Sequence, residues 1–259
     1  MLIDSHAHLE MKEFDADREE VIRRAGNEGV DFIVTVGTNL KLSLKAVTLA
    51  GKYENIYATV GVHPHDVAKA DQNTLDAFKE LIKTRKKIVA YGEIGLDFFR
   101  NISPQEKQLE LFGLQLELAK ELNLPVVIHD REAHKQSLET VRASGVRRGV
   151  FHCFSGDYEM AKKCIDLGFY ISIPGVVTYD KAKTIQDVAL RVPLSSLLLE
   201  TDAPYLTPVP HRGKRNEPSF IIHTAKKVAE IRKVRLEEVV QMTSGNTMNL
   251  FGIKAFCGN

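Results

Sequence analysis

The chain has 259 residues, of which 44% are hydrophobic and 27% are charged, as in ordinary globular proteins. Its 35 basic and 34 acidic residues nearly cancel, which argues against a protein that coats nucleic acid through a global positive field. A polyanionic substrate would therefore need a local basic patch. No apolar run is long enough to span a membrane, and no secretory signal precedes the first strand, so we expect a cytoplasmic protein without a membrane partner.

Short apolar, β-branched runs alternate with charged segments of helical periodicity along the chain. The predicted strands cover residues 2–6, 31–37, 55–61, 88–93, 124–129, 149–153, 169–173 and 197–202. The helices predicted to follow them cover residues 15–27, 40–52, 74–83, 104–122, 131–143, 158–167, 181–190 and 218–231, and an extra helix covers 236–250.

Eight successive strand–helix units indicate parallel strands joined by helical crossovers, and eight such strands close into a barrel. A doubly wound sheet fits less well, because no glycine-rich dinucleotide fingerprint follows the first strand. We therefore predict an α/β protein, a single (β/α)8 TIM barrel over residues 1–259 with a C-terminal extra helix and no organic cofactor. Cys153, Cys164 and Cys257 form no CxxC pair and predict no disulfide framework.

His6 and His8 are two residues apart at the end of the first strand. Alternate residues of a strand share a face, so both imidazoles can approach one divalent metal. His63 and His65 form a second pair of the same spacing. Spacing alone does not distinguish the two pairs, and the other strand ends must decide.

Active sites of (β/α)8 barrels lie at the carboxyl ends of the strands. The polar residues at those ends are His6, His8, Glu93, His129, His152 and Asp202. Any one of these residues alone could be a hydrogen-bonded core residue, a salt-bridge partner or a turn cap. Together they exceed the ligand number of one zinc and suit two divalent metals bridged by a carboxylate. The pattern predicts a binuclear centre that activates water for hydrolysis.

His63 ends the third predicted strand and could point into the mouth of the barrel, whereas alternation would turn His65 away. We expect substrate contact or support of a metal ligand for His63, with a purely structural role as the alternative. Alternation likewise predicts that Cys153, beside His152, faces outward as a buried small hydrophobe.

Several motifs resemble the TatD family of metal-dependent deoxyribonucleases, within the amidohydrolase superfamily. They are Ser5-His6-Ala7-His8, Gly61-Val62-His63-Pro64, Gly92-Glu93-Ile94-Gly95-Leu96-Asp97, Ile128-His129, His152-Cys153-Phe154-Ser155-Gly156 and Glu200-Thr201-Asp202-Ala203-Pro204. The resemblance extends over nearly the whole chain, to Leu250-Phe251. The first motif departs from the family pattern only in continuing with Glu10 where aspartate is usual.

The resemblance implies hydrolysis of phosphodiester bonds in DNA, often from the 3′ end, at a binuclear site supported by magnesium. It implies that His6, His8 and Asp202 hold one metal and that His129 and His152 hold the other. Glu93 would bridge the two ions. As a hypothesis, a metal-activated water attacks the phosphorus and Asp202 accepts its proton.

Phosphate contacts are expected from the loops after the last strands. The segment 210–216 is the best local basic cluster, and Arg212 or Arg215 could bind a phosphate through a guanidinium group, or the segment could be a solvated loop. Phe98-Phe99-Arg100 could offer a base a stacking surface or simply cover the edge of the barrel.

Two other functions remain open from the sequence. One is a different amidohydrolase-type hydrolase, acting on an amide, a lactone or a phosphate ester; relatives of that kind often bridge their metals with a carbamylated lysine, whereas this chain offers Glu93. The other is a non-catalytic barrel that binds metal for structure. The ligand types leave magnesium, manganese and zinc as candidate ions.

Overall fold

Eight parallel strands, each hydrogen-bonded to the next in chain order, form the sheet of this protein in a computed structural model that describes residues 1–254. The strands are β1 (Leu2–Ala7), β2 (Val30–Val36), β3 (Ile56–Val60), β4 (Ile88–Asp97), β5 (Val126–Arg131), β6 (Gly149–Phe151), β7 (Phe169–Ile173) and β8 (Leu197–Leu199). The helices are α1 (Arg18–Asn27), α2 (Leu40–Lys52), α3 (Gln72–Thr84), α4 (Gln105–Glu121), α5 (His134–Ser144), α6 (Tyr158–Asp166), α7 (Lys183–Arg191), α8 (Ile221–Arg232) and α9 (Leu236–Phe251).

The sheet closes where the segments after β1 and β8 meet. Ala7 and Ala203 form a parallel bridge, and the N–H of His8 donates to the carbonyl of Ala203 at 2.7 Å. The N–H of Asp202 donates to the carbonyl of His6 at 2.9 Å. The predicted (β/α)8 barrel is confirmed, and its seam lies at the carboxyl ends of the strands.

The extra helix α9 contacts the opposite end of this seam, where β8 begins. The side-chain amide of Asn246 donates to the carbonyls of Leu194 and Leu197, at the start of β8, at 2.7 and 2.8 Å. Leu250 and Phe251 are buried with the strand residues that point into the barrel. The predicted C-terminal helix is therefore part of the barrel's core and closes its lower end.

Strand boundaries differ from the predictions where the chain bends. β6 ends at Phe151 and β8 at Leu199, so His152 and Asp202 follow their strands instead of ending them. Asp202 has a φ of 55° and Cys153 a φ of 44°, left-handed values that interrupt a strand. β4 continues to Asp97, four residues beyond its predicted end.

Gly95 allows β4 to lie unusually close to β5. A Cβ atom at this position would stand 2.0 Å from the carbonyl oxygen of His129, and the φ of 139° is one that other residues rarely adopt. Pairing of Gly95 with His129 brings the two strands together beside the candidate site.

Two other expectations concern membranes and cysteines. Between residues 1 and 254, no helix combines the length and apolarity needed to cross a membrane. Cys153 and Cys164 are free thiols. Cys257, with residues 255–259 of the predicted domain, lies outside the described residues.

Helix α4 holds two loops at the mouth through buried glutamines. The amide of Gln115 accepts from the N–H of Val62 at 2.8 Å and donates to its carbonyl at 3.0 Å. Gln108, two turns earlier, accepts from the N–H of Asp97 at 2.8 Å. Both side chains are fully buried. The side chain of Gln115, and not pairing with a neighbouring strand, thereby holds Val62 in the loop that carries His63.

Replacing Gln115 with leucine should destabilise the fold. The substitution leaves the N–H and carbonyl of Val62 buried without partners, and we expect the free energy of unfolding to fall by about 2–4 kcal/mol. Urea denaturation measures this change in the free energy of unfolding. The exposed Gln105, on the same helix, provides the matched Gln105→Leu control. Equal stability of the two variants would contradict a role for Gln115 in holding the loop.

Candidate metal centre

All six predicted ligands meet in the mouth of the barrel. His6 lies in β1, Glu93 in β4 and His129 in β5, whereas His8, His152 and Asp202 lie on the segments that follow β1, β6 and β8. Their ligand atoms form overlapping groups within 4.8 Å of one another: His6, His152 and Asp202; His6, His8 and Glu93; and, with a residue outside the predicted set, His63, Glu93 and His129.

Glu93 stands between two pairs of histidines. Its Oε2 atom lies 3.6 Å from Nε2 of His6 and 3.8 Å from Nε2 of His8. Its Oε1 atom lies 2.8 Å from Nδ1 of His129 and 2.7 Å from Nε2 of His152. One carboxylate thus presents a different oxygen to each pair, as a bridging ligand does.

Asp202 completes the first of these groups. Its Oδ1 atom lies 3.4 Å from Nε2 of His8 and 3.7 Å from Nε2 of His6. Burial would raise the pKa of Asp202, but hydrogen bonding with His8 and attraction to His6 hold the pKa below its usual value. The aspartate is therefore ionised at neutral pH.

The centre contains buried carboxylates and imidazoles that shift one another's pKa values. Burial alone would raise the pKa of Glu93, but attraction to His152 and hydrogen bonds from the histidines hold it well below its usual range. Burial would also lower the pKa of His8, but Asp202 and Glu10 raise it well above its usual value. Charge of this kind calls for compensation, by protonated histidines or by cations.

The arrangement of the ring nitrogens fits metal ions. Nδ1 of His8 lies 2.9 Å from the carbonyl of Val36 and must donate to it, so Nε2 presents its lone pair to the centre when the ring is neutral. Nε2 of His6 lies 3.3 Å from that atom, and Nδ1 of His129 lies 3.3 Å from Nε2 of His152. In each pair, two ring nitrogens therefore lie close together. A cation between them would bind both nitrogens and so stabilise their proximity.

The loop after β3 brings two further histidines to the centre. Nε2 of His63 lies 3.4 Å from Oε1 of Glu93, and burial lowers the pKa of His63 to about 4, so its ring is neutral. The expectation that His65 points away was wrong: its Nε2 donates to Oδ2 of Asp97 at 2.9 Å. β3 ends at Val60, so strand alternation does not govern this loop.

Two buried carboxylates that sequence reasoning missed support the histidines from behind. Asp97 lies 3.2 Å from Nε2 of His129 and also accepts from the N–H of Arg100 at 2.7 Å. Glu200 accepts from the N–H of Cys153 at 2.6 Å, and its Oε1 atom lies 3.6 Å from Nδ1 of His152. Both acids stand in the motifs named above, and strand alternation places Asp97 on the face of Glu93 and Glu200 on the face of Asp202, so the sequence did contain a signal for them.

A third buried acid, Asp4, belongs to β1 itself. Burial raises the pKa of Asp4 to about 8, despite the hydrogen bonds that it accepts from the N–H and hydroxyl of Thr201. These bonds tie β1 to the segment that carries Asp202. Asp4 therefore supports the seam from below and does not enter the mouth.

The mouth is a cavity of about 850 Å³, and its lining differs from the prediction in two ways. Cys153 lines it instead of facing outward, because the strand stops at Phe151 and the chain turns. The lining cations come from the turn after β4, the end of β5 and the region where the loop after β7 enters α7, and not from segment 210–216. They are Arg100, Arg131, Lys181 and Lys183.

Neither arginine predicted to bind phosphate lines this cavity. Arg215 donates to both carboxylate oxygens of Asp17, at 2.8 and 2.7 Å, and its guanidinium lies over the ring of Phe14. In this structure the guanidinium predicted to bind a phosphate holds a carboxylate instead. Arg212 is exposed and stacks on Tyr179 at 4.5 Å.

Comparison with known proteins agrees with this geometry. The chain is 42% identical over 255 residues to an uncharacterized metal-dependent hydrolase, YabD, of Bacillus subtilis, covering 98% of this chain and all of that one. It is 36% identical over 260 residues to the 3′-5′ ssDNA/RNA exonuclease TatD of Shigella flexneri, covering 97% and 99% of the two chains.

A solved structure agrees in fold. The crystal structure of YjjV, a TatD homologue from Escherichia coli, superposes with a TM-score of 0.93 at 34% identity and covers 98% of both chains. The profile of the TatD related DNase family matches residues 3–252. The chain therefore belongs to the TatD-related DNase family.

Proposed function

We propose that this protein is a divalent-metal-dependent deoxyribonuclease that hydrolyses phosphodiester bonds at strand ends, as a 3′-5′ exonuclease. The observation that carries the proposal is the position of Glu93, with one oxygen toward each of two histidine pairs. Family membership and the similarity to a 3′-5′ exonuclease support the choice of a nucleic acid substrate.

His6, His8 and Asp202 would hold one ion, His129 and His152 the other, and Glu93 both. His63 is close enough to Glu93 to join the second group. When bound, the two ions polarise the phosphodiester and lower the pKa of water at the centre. Magnesium, manganese or zinc could serve, since the ligands combine imidazoles with carboxylates.

Asp202 is the residue placed to accept a proton. It is ionised, it lines the mouth, and its side chain keeps 12% of its surface exposed, against 3% for Glu93. A substrate entering the mouth meets the more exposed carboxylate of Asp202 before that of Glu93, both of whose oxygens face histidines. We assign proton acceptance to Asp202 and the bridging position to Glu93.

The alternative amidohydrolase-type activity is less well supported. Glu93 stands between the two pairs of histidines, at the position where relatives with that activity often have a carbamylated lysine. The lining cations suit a phosphate-containing substrate more than a lactone or an amide.

Removal and return of metal test the proposed activity directly. Protein treated with a chelator should lose cleavage of end-labelled single-stranded DNA, and added magnesium, manganese or zinc should restore it, because the ions supply the water activation. Single- and double-stranded DNA and RNA substrates define the specificity. Absence of cleavage with every ion and every polynucleotide would refute the nuclease assignment.

The variant Asp202→Asn should retain the fold but lose about 10²- to 10⁴-fold in cleavage rate, because an amide cannot accept the proton. Gel-resolved cleavage of labelled DNA measures the rate, and metal content is measured on the same sample. The exposed Asp180 gives a matched control, Asp180→Asn, which should behave as the parent protein does. Full activity of Asp202→Asn would contradict the assignment of Asp202 as the proton acceptor.

The variant Glu93→Gln should bind fewer ions. Loss of the bridging charge should reduce retained metal from about two ions per chain toward one, since an amide is a poor bridge. Equilibrium dialysis followed by metal analysis gives the stoichiometry without reference to activity. The exposed Glu132 provides the Glu132→Gln control, and unchanged metal content in Glu93→Gln would contradict the bridging role.

A further inference from the structure

The turn after β4 and the end of β5 form an exposed corner beside the metal centre, here called the β4–β5 rim and defined by Phe99, Arg100 and Arg131. Arg131 lies two residues after His129 on β5, on the same face of the strand. Both arginines line the mouth of the barrel.

The rim is held rigidly to the centre. The N–H of Arg100 donates to Oδ1 of Asp97, whose other oxygen contacts Nε2 of His129. The N–H of Phe98 donates to the carbonyl of Arg131 at 2.9 Å. The distance from the reacting centre to the rim is thus fixed by a short chain of hydrogen bonds.

The positive charge of the rim is not neutralised by acidic side chains of the described residues. Among residues 1–254, neither Arg100 nor Arg131 has an acidic partner within ion-pair distance. The acids that share the mouth are engaged elsewhere: Asp97 contacts histidines, and Asp130 contacts His134 at 2.7 Å. An anion at the rim therefore meets unopposed guanidinium groups.

The rim also carries an exposed aromatic ring. Phe99 is 59% exposed, and the guanidinium of Arg131 lies 4.0 Å from the centre of the ring. Its neighbour Phe98 packs against the core, so the role of covering the barrel edge belongs to Phe98. An exposed ring beside cations without acidic partners is the combination with which proteins bind single strands, since the ring stacks on a base and the cations bind a phosphate.

We infer that the β4–β5 rim is a subsite for the nucleotide next to the scissile phosphodiester in a single-stranded polynucleotide. Arg100 and Arg131 bind the phosphate of that nucleotide, and Phe99 stacks with its base. This inference rests on the proposed nuclease function and adds the length requirement of the substrate: a strand that reaches the rim is bound more tightly than a diester that does not.

The test compares two substrates that differ only in reaching the rim. Bis(p-nitrophenyl) phosphate has a diester but no neighbouring nucleotide, whereas a short single-stranded oligonucleotide has both. The variant Arg100→Gln/Arg131→Gln should raise the KM for the oligonucleotide about tenfold or more and leave kcat/KM for the small diester within about twofold. The exposed Arg85, in the loop before β4 at the opposite end of the barrel, gives the Arg85→Gln control.

Salt dependence provides a second measurement. Each phosphate contact on a single strand contributes about 0.7 to the slope of log affinity against log salt concentration. The double variant should lose about one such contact in anisotropy titrations with labelled oligonucleotide, and the control should not. Phe99→Ala should weaken binding roughly tenfold at all salt concentrations, and Phe99→Trp should restore it.

The outcomes separate this inference from the function on which it rests. If the parent protein cleaves neither substrate with any metal, the nuclease function fails. If the parent cleaves both but the rim variants change both substrates equally, or change neither, the function stands and the subsite is overturned. The unfolding temperature of each variant is also measured. A value equal to that of the parent protein excludes misfolding as the cause of weaker binding.

Discussion

The mouth of this barrel depends on keeping one deeply buried carboxylate, Glu93, ionised. Moving a carboxylate out of water costs several kcal/mol unless opposite charge and hydrogen bonds surround it. Here histidines from β1, β5 and the loops after β3 and β6 supply those partners. Because the partners come from β1, β5 and two loops, the charge of Glu93 draws together segments that lie far apart in the sequence. A metal centre and a stable mouth are two results of the same requirement.

The histidines, in turn, are oriented by groups outside the centre. A carbonyl at Val36 fixes the ring of His8, and Asp97 fixes that of His129. Partners of this kind determine which nitrogen presents a lone pair, and they raise the affinity of a histidine for metal. Glu200 stands behind His152 at 3.6 Å, too far for a hydrogen bond but near enough for its charge to attract a protonated ring. The chemistry of such a centre therefore extends one layer beyond the ligand atoms.

Sequence periodicity was enough to predict the barrel, since alternating strand and helix patterns constrain topology strongly. It also placed the ligands at one rim, because the ends of parallel strands share an edge. It failed for His65 and Cys153, where the chain has already left its strand and alternation no longer applies. It did not reveal the pairing of Arg215 with Asp17, because a basic residue pairs with an acid that is near in space and sequence does not show that distance. Arg100 and Arg131, which do line the mouth, lie outside segment 210–216, the basic cluster on which the sequence-based prediction relied.

The seam of the barrel has a consequence for the order of events during folding. Residues 6 and 202 are separated by most of the chain, yet the carbonyl of His6 pairs with the N–H of Asp202, and their side chains face one another across 3.7 Å. Contacts of such long sequence separation form late, because closing a large loop is slow. A growing polypeptide emerging from the ribosome has its first two histidines long before their carboxylate partner. The protein therefore acquires the complete centre only when the last strand docks, so hydrolytic capacity arises together with the finished barrel and not before it.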